Sequence, residues 1–126
     1  MNTLDLFTPV RLGALEVPNR IVMAPLTRMR AGPGRVPTLL MAQYYAQRAA
    51  AGLIVSEATA ISQQGTGCPN SPGIYSNEQM TGWQRVTEAV HLAGEILVLQ
   101  LWRMGRIVYP SFQPAGGWSI APSAIF

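Results

Sequence analysis

The stretch Ile21-Val-Met-Ala-Pro-Leu-Thr-Arg28 decides the fold class that this sequence predicts. An apolar run of β-type residues ends there in a small residue, a proline and a threonine, with no helix signal in between. Leu53-Ile-Val-Ser-Glu-Ala-Thr59 and Ile96-Leu-Val-Leu-Gln-Leu-Trp102 follow the same plan. Buried strands that alternate with helices indicate a parallel sheet, and functional groups at their carboxyl ends indicate a (β/α) barrel. We therefore predict an α/β fold, the N-terminal third of a (β/α)8 TIM barrel, because three of about eight strands are present.

The segments on either side of the first strand predict a hairpin and a helix. Residues 10–17 alternate apolar and polar side chains around Gly13-Ala14, as in a short β-hairpin. Thr38 is placed to cap a helix over residues 39–50, and Gly52 is placed to close that helix.

A long polar loop and a second helix separate the second and third strands. The loop covers residues 62–76 and is longer than most connections, which favours a functional role. Ser76 or Asn77 is expected to cap a helix that runs to about Leu92 and ends at Gly94. The predicted order is an N-terminal hairpin, β-α-β-α-β and a final loop, with right-handed crossovers that place the three strands side by side.

The amino-acid composition and net charge indicate which classes of protein the chain can belong to. The chain has 126 residues, of which 48% are hydrophobic and 12% are charged, against a usual charged fraction of about 25%. We interpret residues 1–126 as one partial barrel domain. The formal net charge is +3, but no basic run exceeds two residues, which predicts scattered surface charge and no nucleic-acid partner.

Cys68 is the single cysteine and His91 the single histidine. One cysteine leaves no partner for an internal disulfide or a CxxC pair, and with one histidine we expect no metal site. The segment from Met1 to Phe7 lacks the pattern of a signal peptide, and no apolar run approaches the roughly 18 residues of a membrane helix. We therefore expect a cytoplasmic protein without a membrane partner.

Several short motifs occur together in a fixed order and spacing. They are Leu6-Phe-Thr-Pro9, Asn19-Arg-Ile-Val-Met-Ala-Pro-Leu-Thr-Arg28, Tyr44-Tyr-Ala-Gln-Arg48, Gly52-Leu-Ile-Val-Ser-Glu-Ala-Thr59, Pro69-Asn-Ser-Pro-Gly73, Gln100-Leu-Trp102 and Ala121-Pro-Ser123. Together they resemble the Old Yellow Enzyme family of flavin-dependent ene-reductases, above all its branch of bacterial N-ethylmaleimide reductases and alkene reductases. The resemblance covers essentially the whole chain.

This resemblance implies a cofactor, a reductant and a class of substrate. FMN would lie across the top of the barrel, and NAD(P)H would pass a hydride to the flavin N5. After the oxidised nicotinamide leaves, an activated alkene would take the hydride at its β-carbon, and a tyrosine would protonate its α-carbon. The implied substrates are small molecules such as enones, maleimides or nitro compounds. The chain would then be the N-terminal part of an FMN-dependent NAD(P)H:alkene oxidoreductase.

The resemblance also assigns residues after the first strand to the flavin. The backbone of Ala24, Pro25 and Leu26 would contact the isoalloxazine ring, and the hydroxyl of Thr27 would donate a hydrogen bond near O4 and N5. A donor there would stabilise the charge that develops as the flavin is reduced. The alternative role of Thr27 is to cap a helix or a turn.

The later strands carry further assignments of the same kind. Ala58 would pack against the ring, where a small side chain permits close approach. The carboxamide of Gln100 would bind the pyrimidine edge around N1, O2 and N3, or it would be a buried structural glutamine with partners of its own. Trp102 and Cys68 would border the substrate pocket, although Trp102 is by its chemistry alone equally plausible as a core aromatic.

Other conspicuous residues have structural interpretations. Glu57 is a candidate catalytic carboxylate, but we interpret it as a structural group paired with a neighbouring arginine, since an acid beneath an anionic reduced flavin would oppose reduction. Tyr44 and Tyr45 are interpreted as packing groups. The residues expected to form ion pairs or to anchor loops are Arg28, Arg48 and Arg106.

Three features depart from the family pattern. Arg103 stands where the family usually has histidine in its Leu-Trp-His-x-Gly-Arg segment, and Cys68 stands where many relatives have tyrosine. The residues that hold the substrate carbonyl, the proton-donating tyrosine and the phosphate-binding loops are expected beyond residue 126. No catalytic residue is therefore assigned within this chain.

Two other hypotheses stay open. The chain could be a non-catalytic remnant or fragment of an ene-reductase, which an open strand edge would favour. A flavodoxin-like module that binds a different nucleotide is less well supported, because no phosphate loop follows the first strand.

Overall fold

The computed structural model describes residues 5–123 of the chain. Residues 1–4, part of the segment expected to carry no signal peptide, and residues 124–126, at the end of the predicted loop, lie outside that range. The strands and helices are β1 (Val10–Leu12), β2 (Leu15–Val17), β3 (Val22–Met23), α1 (Leu39–Ala46), β4 (Leu53–Val55), β5 (Thr59–Ala60), α2 (Asn77–Leu92), β6 (Leu97–Val98) and β7 (Leu101–Trp102). Short 3-10 turns cover Pro33–Arg35, Gln63–Gly65, Pro110–Phe112 and Pro114–Gly116.

The predicted N-terminal hairpin is confirmed. β1 and β2 pair antiparallel, with Val10 opposite Val17 and Leu12 opposite Leu15. Gly13 in the turn has a φ of +61°, a left-handed conformation that glycine adopts without the steric penalty of a Cβ atom.

The three long strands of the prediction form the parallel sheet. β3, β4 and β6 are neighbours in that order, and Val55 lies opposite Val98. β5 and β7 continue the second and third strands as a parallel pair, with Ala60 opposite Trp102. This order and direction match the predicted partial barrel, and they bring the carboxyl ends of the strands to one edge.

The second and third strands are each interrupted, whereas the sequence predicts them to be continuous. The Ser56 Oγ accepts the backbone N–H of Gln100 at 3.1 Å and donates to the carbonyl of Glu57 at 2.8 Å. A side chain thus takes the place of a backbone carbonyl in the ladder. Residues 56–58 and 99–100 therefore lie between strand segments instead of within them.

α1 begins where predicted and ends one turn earlier. The hydroxyl of Thr38 accepts the N–H of Met41 at 3.4 Å and caps the helix. Beyond Ala46, the N–H groups of Arg48 and Ala51 bond to carbonyls three residues back, at 2.9 and 3.0 Å. The chain tightens into 3-10-like turns there, so the predicted end at residue 50 is wrong.

Gly52 does not cap α1, contrary to the prediction. Its N–H donates to the Asn19 Oδ1 at 2.8 Å and to the carbonyl of Ile21 at 2.8 Å. A Cβ atom at this position would overlap the Asn19 carbonyl oxygen. Glycine is required because two backbone segments approach closely, and this contact holds the start of β3 beside the start of β4.

Both predicted ends of α2 are confirmed. Ser76 and Gln79 form a capping box, in which the Ser76 Oγ accepts the N–H of Gln79 at 3.3 Å and the Gln79 Oε1 accepts the N–H of Ser76 at 3.1 Å. Gly94 ends the helix with a φ of +90°. Of the two cap candidates, Ser76 is the cap.

The core lies between α1, α2 and the parallel sheet. Tyr45, Ile54, Val86 and Val90 are fully buried, and the rings of Tyr45 and Trp83 lie 6.3 Å apart. The predicted packing role of Tyr45 is confirmed. This core fixes both helices against the sheet.

Some strand residues predicted to be buried are not buried in this chain. Val22 in β3 is 47% exposed, and Leu101 in β7 is 63% exposed. β3 is an edge strand of the three-stranded sheet, and the barrel is not closed within residues 5–123. Apolar side chains that a closed barrel would cover therefore remain at the surface.

None of the helices in residues 5–123 is both long and apolar enough to cross a membrane. In the same range, no group of three or more His, Cys, Asp or Glu side chains is arranged to hold a metal ion.

Candidate functional site

The residues predicted to contact FMN lie where the parallel strands end. Residues 24–27 follow β3, Ala58 lies between β4 and β5, Gln100 lies between β6 and β7, and Trp102 ends β7. Because these strands are parallel neighbours, the positions share one edge of the structure. Folding thus brings together groups from separate segments of the sequence. We call this edge the strand-end site.

The segment after β3 contributes backbone and one hydroxyl to the strand-end site. Ala24, Pro25 and Leu26 are exposed, and the side chain of Thr27 is half-buried. Residues 24–28 form neither a helix nor a turn, so the alternative role of Thr27 as a cap is not observed. Exposed backbone beside a half-buried hydroxyl is a surface that a flat heteroaromatic ring can contact.

The second and third strands contribute a small surface, an amide and an indole. Ala58 is buried, whereas the side chain of Gln100 is exposed and its backbone N–H and carbonyl pair with the Ser56 Oγ and the Thr59 N–H. The alternative of a buried structural glutamine is therefore not observed in this chain. Trp102 is half-buried, which is compatible with either of its predicted roles.

Cys68 lies in the long loop after β5 and is half-buried. Its carbonyl accepts the Arg35 Nη1 at 2.8 Å and the Ser71 Oγ at 3.0 Å. The N–H of Met104 donates to the carbonyl of Gly65 at 3.0 Å and joins this loop to the segment after β7. The loop is thus held by contacts that do not involve the thiol.

A network of buried hydrogen bonds adjoins the strand-end site. The sequence did not predict that its members, Glu57, Tyr45 and the backbone of Arg28, bond to one another. Glu57 is 1% exposed, and its Oε2 accepts the backbone N–H of Arg28 at 3.0 Å. The Tyr45 hydroxyl accepts the N–H of Glu57 at 2.8 Å and donates to the Oε1 at 3.4 Å. The hydrogen bonds that hold the Glu57 carboxyl thus come from a backbone amide and a phenol, and the nearby charge of the Arg28 side chain acts on its pKa without a direct hydrogen bond. A buried polar group needs a hydrogen-bond partner. This requirement is the one feature of the sequence from which a bond between Glu57 and Tyr45 could have been predicted.

Burial raises the pKa of both side chains in this network. Burial raises the pKa of Glu57, and the backbone N–H groups of Arg28 and Met29 offset part of that increase. Burial also raises the pKa of Tyr45, so the phenol keeps its proton at ordinary pH. The protonated phenol can therefore donate to the carboxyl group, as the contact of its hydroxyl with the Oε1 at 3.4 Å shows.

A separate pocket of about 400 Å³ opens beside α1. The guanidinium carbon of Arg48 lies 3.8 Å from the centre of the Tyr44 ring, and that of Arg28 lies 6.0 Å from it. None of the predicted flavin-contacting residues lines this pocket, so it is distinct from the strand-end site. The lining residues are Arg28, Arg30, Leu40, Met41, Gln43, Tyr44, Gln47 and Glu57.

Comparison with known proteins identifies the family. Residues 5–123 match the family described as NADH:flavin oxidoreductase / NADH oxidase. This chain belongs to that family. Morphinone reductase in complex with tetrahydroNAD is 52% identical, with a TM-score of 0.92 over 95% of this chain and 33% of its own.

Two further relatives agree with this assignment to the flavin oxidoreductase family. The old yellow enzyme homologue from Zymomonas mobilis is 55% identical, with a TM-score of 0.89 over 95% of this chain and 33% of its own. Chanoclavine-I aldehyde reductase from Penicillium roqueforti is 45% identical over 122 residues, which are 94% of this chain and 33% of that protein. The predicted resemblance to the Old Yellow Enzyme family is confirmed.

Membership of the flavin oxidoreductase family also bears on fold and cofactors. The chain spans about a third of the length of these relatives and corresponds to their N-terminal third, which confirms the partial barrel. The family description names both NADH and flavin, and the structure of morphinone reductase holds a nicotinamide analogue. These findings confirm FMN and a nicotinamide reductant as the cofactors of the family.

Proposed function

We propose that the protein is an FMN-dependent NAD(P)H:alkene oxidoreductase and that this chain supplies the N-terminal part of its flavin site. The observation that carries the proposal is the meeting of residues 24–27, Ala58 and Gln100 at the strand-end site. Membership of the flavin oxidoreductase family supports the same reaction class.

The residues of the strand-end site fit a flavin by their chemistry. When bound, FMN would supply hydride transfer from its reduced N5 to the β-carbon of an activated alkene. The half-buried hydroxyl of Thr27 is a donor for a ring atom that gains charge on reduction. The exposed carboxamide of Gln100 can both donate to and accept from a pyrimidine edge, and Ala58 leaves room for the ring.

The proposed substrates are small activated alkenes such as enones and maleimides, with nitro compounds as a further class. Relatives named for morphinone and for chanoclavine-I aldehyde support a small organic acceptor. Trp102 and Cys68 are the residues of this chain that we propose border the substrate pocket, and the cytoplasm is the proposed compartment.

The experiment that tests this function is the reductive half-reaction of the FMN-loaded full-length enzyme that contains this segment. Thr27→Ala should slow reduction by NAD(P)H, because a donor to the reduced flavin is lost. The expected penalty is about 1–3 kcal/mol if the hydrogen bond is charge-assisted, and the flavin potential should fall. Thr81→Ala removes an exposed threonine hydroxyl from α2 and is the matched control.

Two results would contradict the proposal. A purified wild-type enzyme that holds no FMN, or one that NAD(P)H does not reduce, would refute the function itself. A Thr27→Ala enzyme with the potential and the reduction rate of Thr81→Ala would refute the role of Thr27 alone.

A second candidate is that the 126-residue product is non-catalytic, a remnant or fragment of an ene-reductase. In this candidate, apolar strand residues such as Val22 and Leu101, which a closed barrel would cover, would stay exposed. The reading frame beyond the codon for Phe126 separates the two candidates. A continuing frame with an HxxH or HxxN motif would support the enzyme, and a stop codon would support the remnant.

A further inference from the structure

The segment with the predicted flavin donor is held by a carboxylate from the neighbouring strand end. The Glu57 Oε2 accepts the backbone N–H of Arg28 at 3.0 Å, across a separation of 29 residues in the sequence. Arg28 directly follows Thr27, so this bond fixes the backbone next to the hydroxyl. The segment 24–28 has no strand or helix of its own to hold it in place.

The backbone after this bond is in an unusual conformation. Met29 has a φ of +55°, in the left-handed region that side chains other than glycine rarely adopt. Such a conformation persists only where the surrounding structure imposes it. The contact between Glu57 and the Arg28 amide is a local constraint that can do so.

Tyr45 holds the carboxylate in turn. Its hydroxyl accepts the backbone N–H of Glu57 at 2.8 Å and donates to the Oε1 at 3.4 Å. Tyr45 is 0% exposed, and it belongs to the core between α1 and the sheet. The position of the carboxylate is therefore set by the best-packed part of the molecule.

Residues 56–59, which include Glu57, are bonded to Gln100 on their other side. The Ser56 Oγ donates to the carbonyl of Glu57 at 2.8 Å and accepts the N–H of Gln100 at 3.1 Å. The N–H of Thr59 donates to the carbonyl of Gln100 at 2.9 Å. Residues 56–59 are thus bonded both to the backbone next to Thr27 and to the backbone of Gln100. Ala58, the third predicted flavin contact, lies within this segment.

Removing this carboxyl group alone leaves the Arg28 N–H and the Tyr45 hydroxyl without their partner, which lowers stability whether or not the group also has a positioning role. The two roles are therefore distinguished by their effect on the flavin and not by their effect on stability. Glu57 is 1% exposed, and both of its carboxyl oxygens already have hydrogen-bond partners, the Arg28 N–H and the Tyr45 hydroxyl. What its side chain uniquely supplies is an acceptor for the amide beside Thr27.

We propose that Glu57 is a positioning residue, whose carboxyl group, held by Tyr45, fixes the backbone at Arg28 and thereby orients the Thr27 hydroxyl toward the flavin. This role rests on the proposed function of the strand-end site. A misplacement of about 1 Å in a catalytic constellation can cost on the order of a hundredfold in rate, so such supporting contacts have measurable effects.

The test uses the FMN-loaded full-length enzyme that contains this segment. Glu57→Leu removes the acceptor and should slow flavin reduction by NAD(P)H about tenfold to a hundredfold, with a change in flavin potential. Glu57→Gln keeps an oxygen acceptor for the Arg28 amide and should stay within about threefold of wild type. Hydrogen exchange of the Arg28 amide should be faster in Glu57→Leu than in Glu57→Gln, a readout that does not need turnover.

Two controls separate positioning from stability. Val86→Ala opens a cavity in the core away from this segment, so it should lower the melting temperature without changing the flavin potential. If Glu57→Leu does not fold, Tyr45→Phe decides instead, because it removes the supporting hydroxyl and should slow reduction about threefold to tenfold. Tyr44→Phe removes the neighbouring hydroxyl on the same helix and should have no such effect.

The outcomes are distinct from those that test the function. The positioning role is refuted if Glu57→Leu, or Tyr45→Phe in its place, matches Val86→Ala in flavin potential and reduction rate while the wild type is active. A wild-type enzyme that holds no flavin refutes the proposed function and this role with it. In that case, hydrogen exchange of the Arg28 amide still shows whether its hydrogen bond to the Glu57 carboxyl exists.

Discussion

The backbone N–H of Gln100 donates to the side-chain oxygen of Ser56 at 3.1 Å, where a regular parallel ladder would use a carbonyl. Because a side-chain oxygen replaces a carbonyl, the regular pairing of the second and third strands is interrupted between β4 and β5 and between β6 and β7. The Gln100 backbone is thereby held by the neighbouring strand, while its carboxamide remains exposed. Ser56 thus holds the backbone of Gln100 in place and leaves the Gln100 side chain available for its predicted role toward the flavin.

Gln100→Leu should weaken flavin retention in the full-length enzyme and perturb the flavin spectrum. The backbone contact to Ser56 is kept, whereas the carboxamide that would bind the pyrimidine edge is lost. One or two neutral hydrogen bonds contribute about 1 kcal/mol each, so the FMN dissociation constant should rise roughly fivefold to thirtyfold. Gln84→Leu, at an exposed glutamine of α2, is the control in the same fluorescence titration. A Gln100→Leu enzyme that purifies with full FMN and a normal potential would refute the role of Gln100 toward the flavin.

Much of the fold could be predicted because its signals are local. Thr38 and Ser76 cap helices through their own side chains, and Gly13 and Gly94 adopt left-handed conformations. Each of these effects involves residues within one or two turns. The order of the strands, and so the edge at which the strand-end site lies, follows from the same local pattern of apolar runs.

The features that could not be predicted depend on contacts between distant segments. Gly52 is required by its approach to Asn19, and Glu57 is paired with the amide of Arg28. A sequence shows that a buried carboxylate needs a partner but not which partner it finds. The early end of the second strand has the same origin, because the side chain of Ser56 competes with the backbone for Gln100.

Cys68→Tyr should change reactions with the alkene more than reduction of the flavin. The loop is anchored by Arg35 and Ser71 on the Cys68 carbonyl, so a new side chain leaves these bonds in place. The added ring would border the proposed substrate pocket, as the family pattern implies. Rapid mixing should therefore show an altered oxidative half-reaction with cyclohexenone and an unaltered reduction by NAD(P)H. Cys68→Ala is the control, and a change confined to the reductive step would contradict the assignment.

The free energy of unfolding should depend on pH in a way that reveals the raised pKa of Glu57. Burial raises the pKa of this carboxyl in the folded state above its ordinary value of 4.5. A raised acid pKa contributes stability that is fully present below the unfolded value and is lost as pH rises through the folded value. The free energy of unfolding of wild type, measured in urea, should therefore fall relative to Glu57→Gln as pH rises above about 4.5.

Glu78 is a control of opposite sign for this measurement. Its own backbone N–H and the Ser76 hydroxyl lower the pKa of this exposed carboxylate, so its contribution is present above the unfolded value and is lost as pH falls. The difference between wild type and Glu78→Gln should thus shrink toward low pH. If the curves of wild type and Glu57→Gln run parallel across this range, the pKa of Glu57 is not raised.

The 126-residue chain expressed alone should be colourless and inactive as an ene-reductase. β3 and β6 present open edges within the described sheet, and apolar residues such as Val22 and Leu101 are exposed, so we expect loose folding or aggregation. The chain has the proposed ring contacts of Thr27 and Gln100, but the phosphate contacts on which flavin affinity depends are expected elsewhere in the barrel. Gel filtration, the visible spectrum and NADPH oxidation with cyclohexenone test this directly. Addition of the complementary part of the barrel should restore flavin binding, whereas a yellow, monomeric and active preparation of the chain alone would show that the closed barrel is not required.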